Sequence, residues 1–276
     1  MPTNNFSGKT VFITGAGSGI GYATALAFST AGANIVATDI VQQGLDNLGQ
    51  ELSSRGIKHR LEILNVGDEQ AFQALADQLV ADNWLPDVVL NNAGIAYLDS
   101  FVNTSGEQWR RTLDVNLLGV AYGSRIFIQH WQKNGIAGHL VNVASGAAVS
   151  PMPNMAAYAA TKYAVDGLCE VIAMELSDSN IQVSCVYPGV INTAIVQHND
   201  MMAMPREQVE RLQQHYIDKG DSPDVVAQAI VKGVSAGDSY IFTGPGTTIA
   251  PLLKRLLPRK IYRNVLRKLA KGIGYL

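Results

Sequence analysis

Five residues, Thr10 to Thr14 (TVFIT), form an unbroken apolar and β-branched run that leads straight into Gly15-Ala-Gly-Ser-Gly-Ile-Gly21. Such a run, without polar alternation, is the mark of a strand covered on both faces, as in a parallel sheet flanked by helices. The glycines open a helix that puts Ile20, Ala23, Ala27 and Ala31 on one face. Strand, glycine-rich turn and helix together aim free backbone N–H groups and a helix N-terminus at a phosphate. Gly15 permits the turn, Gly19 lets a pyrophosphate approach the backbone, and Gly21 lets helix and sheet pack closely.

The alternation continues along the chain. Strand 34–38 precedes helix 42–55, strand 60–64 precedes helix 69–82, and strand 87–90 precedes a long helical region, 106–131. Strand 139–143, a helix carrying Tyr158, strand 182–186, a helical insertion, helix Pro223–Ala236 and strand Tyr240–Thr243 follow. Strands separated by helices of this length predict an α/β fold, a Rossmann-type doubly wound parallel sheet of about seven strands with helices on both faces. At 47% hydrophobic and 16% charged residues the chain can fill one large core, and no linker divides it. A single domain over residues 1–250 with a tail over 251–276 is expected. In such sheets ligands lie beyond the carboxyl ends of the strands, where strand order reverses. Gly15, Asp39, Asn65, residues 91–94 (NNAG), Ser145, Pro188 and Gly189 all fall there.

Asp39 ends the second strand eighteen residues past Gly21. A carboxylate there can accept hydrogen bonds from the adenosine ribose hydroxyls and would repel a 2′-phosphate. No Arg or Lys stands in the glycine loop or just after Asp39, so the reading is NAD rather than NADP. Tyr158 and Lys162 are spaced i, i+4, which puts phenol and ammonium on one helix face. A free tyrosine, with a pKa of ~10, is a poor base at neutral pH; lowering it to ~7 takes roughly 4 kcal/mol. The lysine and an oxidised nicotinamide are two cations able to supply that difference. Ser145, at a strand end, reads equally as a local cap or as a hydrogen-bond donor to substrate.

A formal net charge of -2 offers no pull toward nucleic acid. That sum conceals an asymmetry. After Asp238 there is no acid, while Lys254, Arg255, Arg259, Lys260, Arg263, Arg267, Lys268 and Lys271 follow. Removing those eight from 21 basic residues leaves 13 against 23 acids, a body near -10 and a tail of +8. Pro258 splits the tail into two short helices, the second with an apolar stripe of Ile261, Val265, Leu266 and Leu269. It reads either as a helix packed on the body or a neighbouring subunit, partly covering the substrate mouth, or as a weak membrane anchor. Cys169 and Cys185 sit in apolar patterns and read as buried thiols of a reducing compartment. No cysteine or histidine spacing suits a metal, no signal-peptide core opens the chain, and cytoplasmic localisation is the expectation.

With these motifs in order, residues 7 to 245 resemble the short-chain dehydrogenase/reductase family. Thr14-Gly-Ala-Gly-Ser-Gly-Ile-Gly21 matches its T-G-x-x-x-G-x-G, and residues 91–94 match its N-N-A-G. Asn116, Ser145, Tyr158 and Lys162 match its catalytic tetrad, with Tyr158 thirteen residues after Ser145. The resemblance implies that Tyr158 is general acid/base and that Ser145 holds the substrate oxygen. Lys162 lowers the tyrosine pKa and binds the nicotinamide ribose, and Asn116 holds a water linking Lys162 to solvent. It implies a cofactor site of Gly15, Gly17, Ser18, Gly19, Ile20, Gly21, Asp39, Ile40, Asn65, Val66, Asn92, Ala93 and Gly94. Tyr158, Lys162, Pro188, Gly189, Val190, Ile191 and Thr193 complete it. Asn65 departs from the family's usual aspartate, but an amide oxygen can still accept the adenine bond. Ala147, Val149, Met152, Met155, Tyr187 and the stretch 191–204 with Met201, Met202 and Met204 are the candidate substrate wall, beside Ser145 and Tyr158. Their apolar character favours a secondary alcohol or ketone on an apolar skeleton. The methionines read almost as well as ordinary lid-to-core packing. The family implies a homodimer or homotetramer through the Asn116 and Tyr158 helices. An NADP-linked carbonyl reductase and a non-catalytic nucleotide sensor are the alternatives.

Overall fold

Each strand is apolar because each is sandwiched. The computed structural model describes residues 5–193, 201–244 and 247–276. β1 (Thr10–Thr14), β2 (Asn34–Asp39), β3 (His59–Ile63), β4 (Val88–Asn91), β5 (Gly138–Val143), β6 (Ile181–Pro188) and β7 (Tyr240–Thr243) form one sheet. Its order is β3-β2-β1-β4-β5-β6-β7, and every pairing is parallel. Val11 on β1 pairs with Ile35 on β2 and Val88 on β4, so strand order reverses on either side of β1. This is the doubly wound, Rossmann-type sheet that the alternation predicts.

One face is covered by α1 (Gly19–Thr30), α2 (Gln42–Ser54) and α8 (Pro223–Ala236), which bury Phe28, Leu45, Leu48, Leu52, Val226 and Ile230 against β1 and β2. The other is covered by α3 (Glu69–Ala81), α5 (Gly119–Asn134) and α6 (Ala156–Glu175). There Phe12, Phe72, Phe127 and Trp131 make the largest contribution, with Phe12 and Phe127 ring centroids 4.9 Å apart. At ~25 cal/mol per Å² of apolar surface, each of these buried rings contributes on the order of 2–3 kcal/mol. Cys169 and Cys185 are buried free thiols in this layer, as the apolar pattern implies.

Boundaries agree with the sequence pattern to within a residue or two, except in one place. The region 106–131 is not one helix. α4 (Gly106–Leu113) passes through a π-helical turn, Asp114–Leu118, before α5 begins. Gly119 lies against Val66, where a Cβ would come 2.7 Å from the valine methyl. A single widened turn barely disturbs helical periodicity, so the apolar pattern does not reveal it.

After β6, residues 194–200, part of the candidate substrate wall, lie outside the described residues. α7 (Arg206–Lys219) follows, and the tail consists of α9 (Ala250–Leu256) and α10 (Arg259–Ile273), separated at Pro258 as expected. α10 lies against α7. Leu98, Ala147, Met155, Met202, Leu212, Ala270, Ile273 and Tyr275 make a third, smaller apolar cluster that roofs the carboxyl end of the sheet.

His139 on β5 is 7% exposed, and its Nε2 is 2.7 Å from the Ser184 hydroxyl of β6. Burial pushes its imidazole down to about 4. The unfolded chain therefore takes up a proton near its ordinary pKa while the native protein does not. Its contribution is intact above about pH 6.5 and falls away toward pH 4, a loss of roughly 3 kcal/mol at ~1.36 kcal/mol per pH unit. Urea denaturation at pH 7 and pH 5 should show this decline, and His139→Gln should flatten it. An unchanged slope in the variant would assign the acid sensitivity elsewhere.

Candidate active site

The crevice at the reversal of strand order is floored by four hydrogen bonds. The Thr14 hydroxyl accepts from the backbone N–H of Asn92 (2.9 Å) and of Ala93 (3.0 Å). The Asn92 side-chain amide donates to the carbonyls of Thr14 (2.9 Å) and Gly15 (3.2 Å). The N-N-A-G loop after β4 is thereby locked to the glycine loop after β1. Gly15 has φ +65, and a Cβ there would meet Ala93 Cα at 2.8 Å. At Gly21 a Cβ would sit 2.2 Å from the Gly15 carbonyl oxygen, which is why α1 can dock against β1 only with glycine at that position.

Asp39 closes one end. Its Oδ2 accepts from Gly17 N–H (2.9 Å) and its Oδ1 from Val41 N–H (3.0 Å), which fixes the carboxylate at the tip of β2. Asn65 caps its own turn by accepting from Gly67 N–H at 3.1 Å, leaving a second lone pair on that oxygen. The region suits a dinucleotide: a glycine loop with little side-chain bulk, a helix N-terminus, and a fixed carboxylate that lines the cavity.

α6 closes the other end. Tyr158 and Lys162 share the face that the i, i+4 spacing requires, with the ammonium 5.7 Å from the phenol ring centre. Lys162 is 3% exposed and donates to the Val143 carbonyl of β5 at 2.7 Å. Burial takes its ammonium down to about 8, opposed by the neighbouring Cys185 and Cys169. Lys162 does not lower the Tyr158 phenol in this geometry. Burial pushes that phenol up to about 12, with Ser145 pulling it down by a hydrogen bond and Tyr216 pushing it up. Lys162 spends its charge on a backbone carbonyl, so desolvation of the phenolate wins.

Ser145, 9% exposed, caps the short turn at Gly146–Ala148 by accepting from Ala147 N–H at 3.1 Å, so the cap and the approach to Tyr158 coexist. Asn116 sits inside the π-helical turn and is fully buried. Its side chain brackets Ile95, accepting from Ile95 N–H and donating to Ile95 C=O, both at 2.8 Å, with Thr161 Oγ1 at 3.3 Å.

Between these ends lies a cavity of about 1000 Å³. Ser18, Gly19, Ile20, Ile40, Val66, Gly94, Pro188, Gly189, Val190, Ile191 and Thr193 line it, as do Ala147, Val149, Met152, Met155 and Met201. Gly17, Gly21 and Asn116 do not; they shape it from behind. Met202 is buried in the roof cluster, bridged to Leu98, so the packing reading holds for it, while Met201 faces the cavity. Tyr187 borders the cavity, but its hydroxyl is committed to Asp166 and its ring stacks on Phe242.

Three features escape sequence reasoning. Tyr216 of α7 and Tyr275 of the tail bring their hydroxyls to 2.8 Å of each other at the cavity wall, and burial raises both phenols. Tyr262 of α10 donates to the Val149 carbonyl at 3.2 Å and meets Ser150 Oγ at 2.8 Å, tying the tail to the loop after Ser145. Asn154, at φ +62, donates to the Tyr275 carbonyl at 2.8 Å and accepts Asp99 N–H on its own carbonyl at 2.9 Å. A left-handed asparagine in a Pro-Asn turn is the one of these with a faint sequence signal. The tail is therefore packed on the body beside the cavity that it helps to line.

Residues 9–203 match the family model described as short chain dehydrogenase. The chain is 36% identical over 267 residues to the probable oxidoreductase EphD of Mycobacterium tuberculosis, covering 94% of this chain and 45% of that protein. It thus spans about half the length of that relative. It is 31% identical to a cyclohexanol dehydrogenase of an Acinetobacter species, covering 87% of this chain and 92% of that one. A short-chain dehydrogenase/reductase from Burkholderia phymatum, solved in complex with NAD, superposes with TM-score 0.82 at 27% identity over 95% of this chain and 96% of that one.

The close approach at Gly21 gives a direct test. Gly21→Ala must push α1 off β1 or distort the Gly15 turn, costing on the order of 1–3 kcal/mol. Urea denaturation should show that loss, and a variant as stable as the parent would mean the helix shifts freely.

Proposed function

The chain belongs to the short-chain dehydrogenase/reductase family, and from that premise we propose that it is an NAD-dependent oxidoreductase interconverting a secondary alcohol and a ketone on an apolar skeleton. The carrying observation is a single cavity with Tyr158, Ser145 and Lys162 at one end and a fixed Asp39 carboxylate at the other. The cyclohexanol dehydrogenase among the relatives agrees with the reaction and with an apolar, alicyclic substrate class.

When bound, the nicotinamide supplies the hydride acceptor or donor. The protein does the rest. The glycine loop and the N-terminus of α1 hold the pyrophosphate, and Asp39 takes the ribose hydroxyls. Ser145 hydrogen-bonds the substrate oxygen and stabilises the charge that grows there. Tyr158 removes the alcohol proton in oxidation and returns it in reduction. Lys162 holds the nicotinamide ribose and biases the phenol toward its anion. Asn116 positions the loop after β4 and the proton path behind Lys162. Exposed Val171 and Met174 on α6 support self-association through the Tyr158 helix into a dimer or tetramer, which sedimentation velocity would test.

Burial holds the phenol near 12, and on this reading the charge of an oxidised nicotinamide would supply the opposing preference for the anion. Bringing that phenol into the range of a working base, ~8, requires roughly 5–6 kcal/mol of preference for the anion. Followed by NADH absorbance from pH 6 to 10, alcohol oxidation should rise with an apparent pKa well below 12. Tyr158→Phe should abolish turnover. Lys162→Met should lower it at least a hundredfold and displace the profile to higher pH. An identical profile in Lys162→Met would remove the lysine from this role.

NAD preference rests on Asp39. Asp39→Ala combined with Ile40→Arg should turn kcat/KM toward NADP by at least a hundredfold. A parent enzyme that already prefers NADP would refute the account of Asp39 and favour a biosynthetic carbonyl reductase.

A further inference from the structure

The tail does more than roof the cavity. α10 buries Tyr262, Ala270 and Ile273 on the body and leaves Ile261, Val265 and Leu269 about half exposed. At about 100° per residue the exposed trio forms its own stripe, between the buried face and a cationic face of Lys260, Arg263, Arg267, Lys268 and Lys271. α9 adds Leu252, Leu253 and Leu256, each at least 42% exposed, and Ile249 precedes it at 57%.

Four of these exposed apolar side chains, Ile249, Leu253, Val265 and Leu269, also line the cavity. A side chain that faces both cavity and solvent stands at the rim, so the mouth opens through an apolar collar. All eight tail cations are exposed, and among the described residues none is ion-paired with a carboxylate. Lys254 donates to the Tyr163 hydroxyl at 2.7 Å. Apolar side chains bordered by cations that no carboxylate neutralises are the pattern of a helix lying in a lipid interface. Among the described residues no helix is long and apolar enough to cross a membrane, so such contact lies along the surface.

We propose that α9 and α10 seat the mouth of the cavity on an anionic lipid bilayer, and that the enzyme takes an apolar secondary alcohol from the lipid phase. The second half rests on the proposed reaction; the first does not. A second copy fits this face poorly, because an isologous pair would oppose two sets of like charges. A bilayer with anionic headgroups matches the charge and receives the collar, and it concentrates substrates that water holds poorly.

The test uses the full chain and vesicle flotation. The protein should partition at least tenfold more strongly onto phosphatidylcholine vesicles containing one third phosphatidylglycerol than onto phosphatidylcholine alone, and raised salt should weaken it. The triple variant Arg263→Glu, Arg267→Glu, Lys268→Glu should lose that partition while keeping the parent's circular dichroism and thermal midpoint. None of these three lines the cavity. Absence of partition by the parent would overturn the proposal, as would equal partition by a folded triple variant. So would a dimer that protects the collar from exchange and ignores vesicles. These readouts need no turnover, so a failure of the dehydrogenase reading is recognised separately, by NADH absorbance. If the protein binds vesicles and oxidises water-soluble alcohols, a long-chain secondary alcohol should turn over faster from anionic than from neutral vesicles. Equal rates would overturn delivery from the lipid.

Discussion

The bonds from Thr14 to the N-N-A-G loop carry more of this site than any catalytic side chain does. Chains leaving β1 and β4 turn to opposite faces of the sheet, which opens a crevice at this point. A crevice in a parallel sheet exposes backbone N–H and C=O groups that must find partners. Asn92 and the Thr14 hydroxyl provide four, using polar atoms too small to fill the space. The floor is therefore rigid, satisfied and empty of bulk. Glycine at positions 15 and 21 follows from this, since any Cβ would strike the loop or the turn.

On that floor burial holds the tyrosine in its neutral form. Its surroundings are dry, and a dry site without a nearby compensating charge favours the neutral phenol. Lys162 is fixed in place by its bond to the Val143 carbonyl, and on the proposed reading its orientation costs nothing further at the moment of reaction. On the proposed reading this neutrality has a thermodynamic counterpart. If cofactor lowers the phenol's pKa, loss of the phenolic proton must tighten cofactor by the same factor. On that reading proton and nucleotide are linked through one side chain.

The sequence makes the scaffold legible because its signals are local. β-branched runs, glycine spacing and the i, i+4 pair each report on a few adjacent residues, and strand order then follows from crossover handedness. The sheet and its crevice come from these, together with the two ends of the cavity at Asp39 and at Tyr158, while much of the wall between them, the tail's side chains above all, does not. What stays hidden is long-range or conformational. Tyr216 and Tyr275 meet across fifty-nine residues, and nothing in either neighbourhood marks a partner. The π-helical turn at Asn116 changes one hydrogen-bond step while leaving the apolar pattern nearly intact. Tyr187 lines the cavity as its reading as substrate wall expects, but nothing in the sequence marks the bond of its hydroxyl to Asp166 on α6. The phenol's pKa escapes the sequence for a related reason: a count of nearby charges omits desolvation, and burial depends on the assembled fold.

The roof differs in kind from the floor. Below the crevice, two layers of large side chains lock the sheet; above it, a small cluster joins α7, the methionine segment and the tail. Asn154 concentrates the polar ties, meeting Asp99 through its backbone and Tyr275 through its side chain. A cover held by a few tyrosine hydroxyls and one strained asparagine has less apolar burial to lose on opening than the body does. Local opening at low cost is what a cavity of this size needs to admit a ligand. The chain thus separates two demands. On the proposed reading, precision for hydride transfer belongs to the rigid floor, and access belongs to a tail whose outer face stays cationic and apolar.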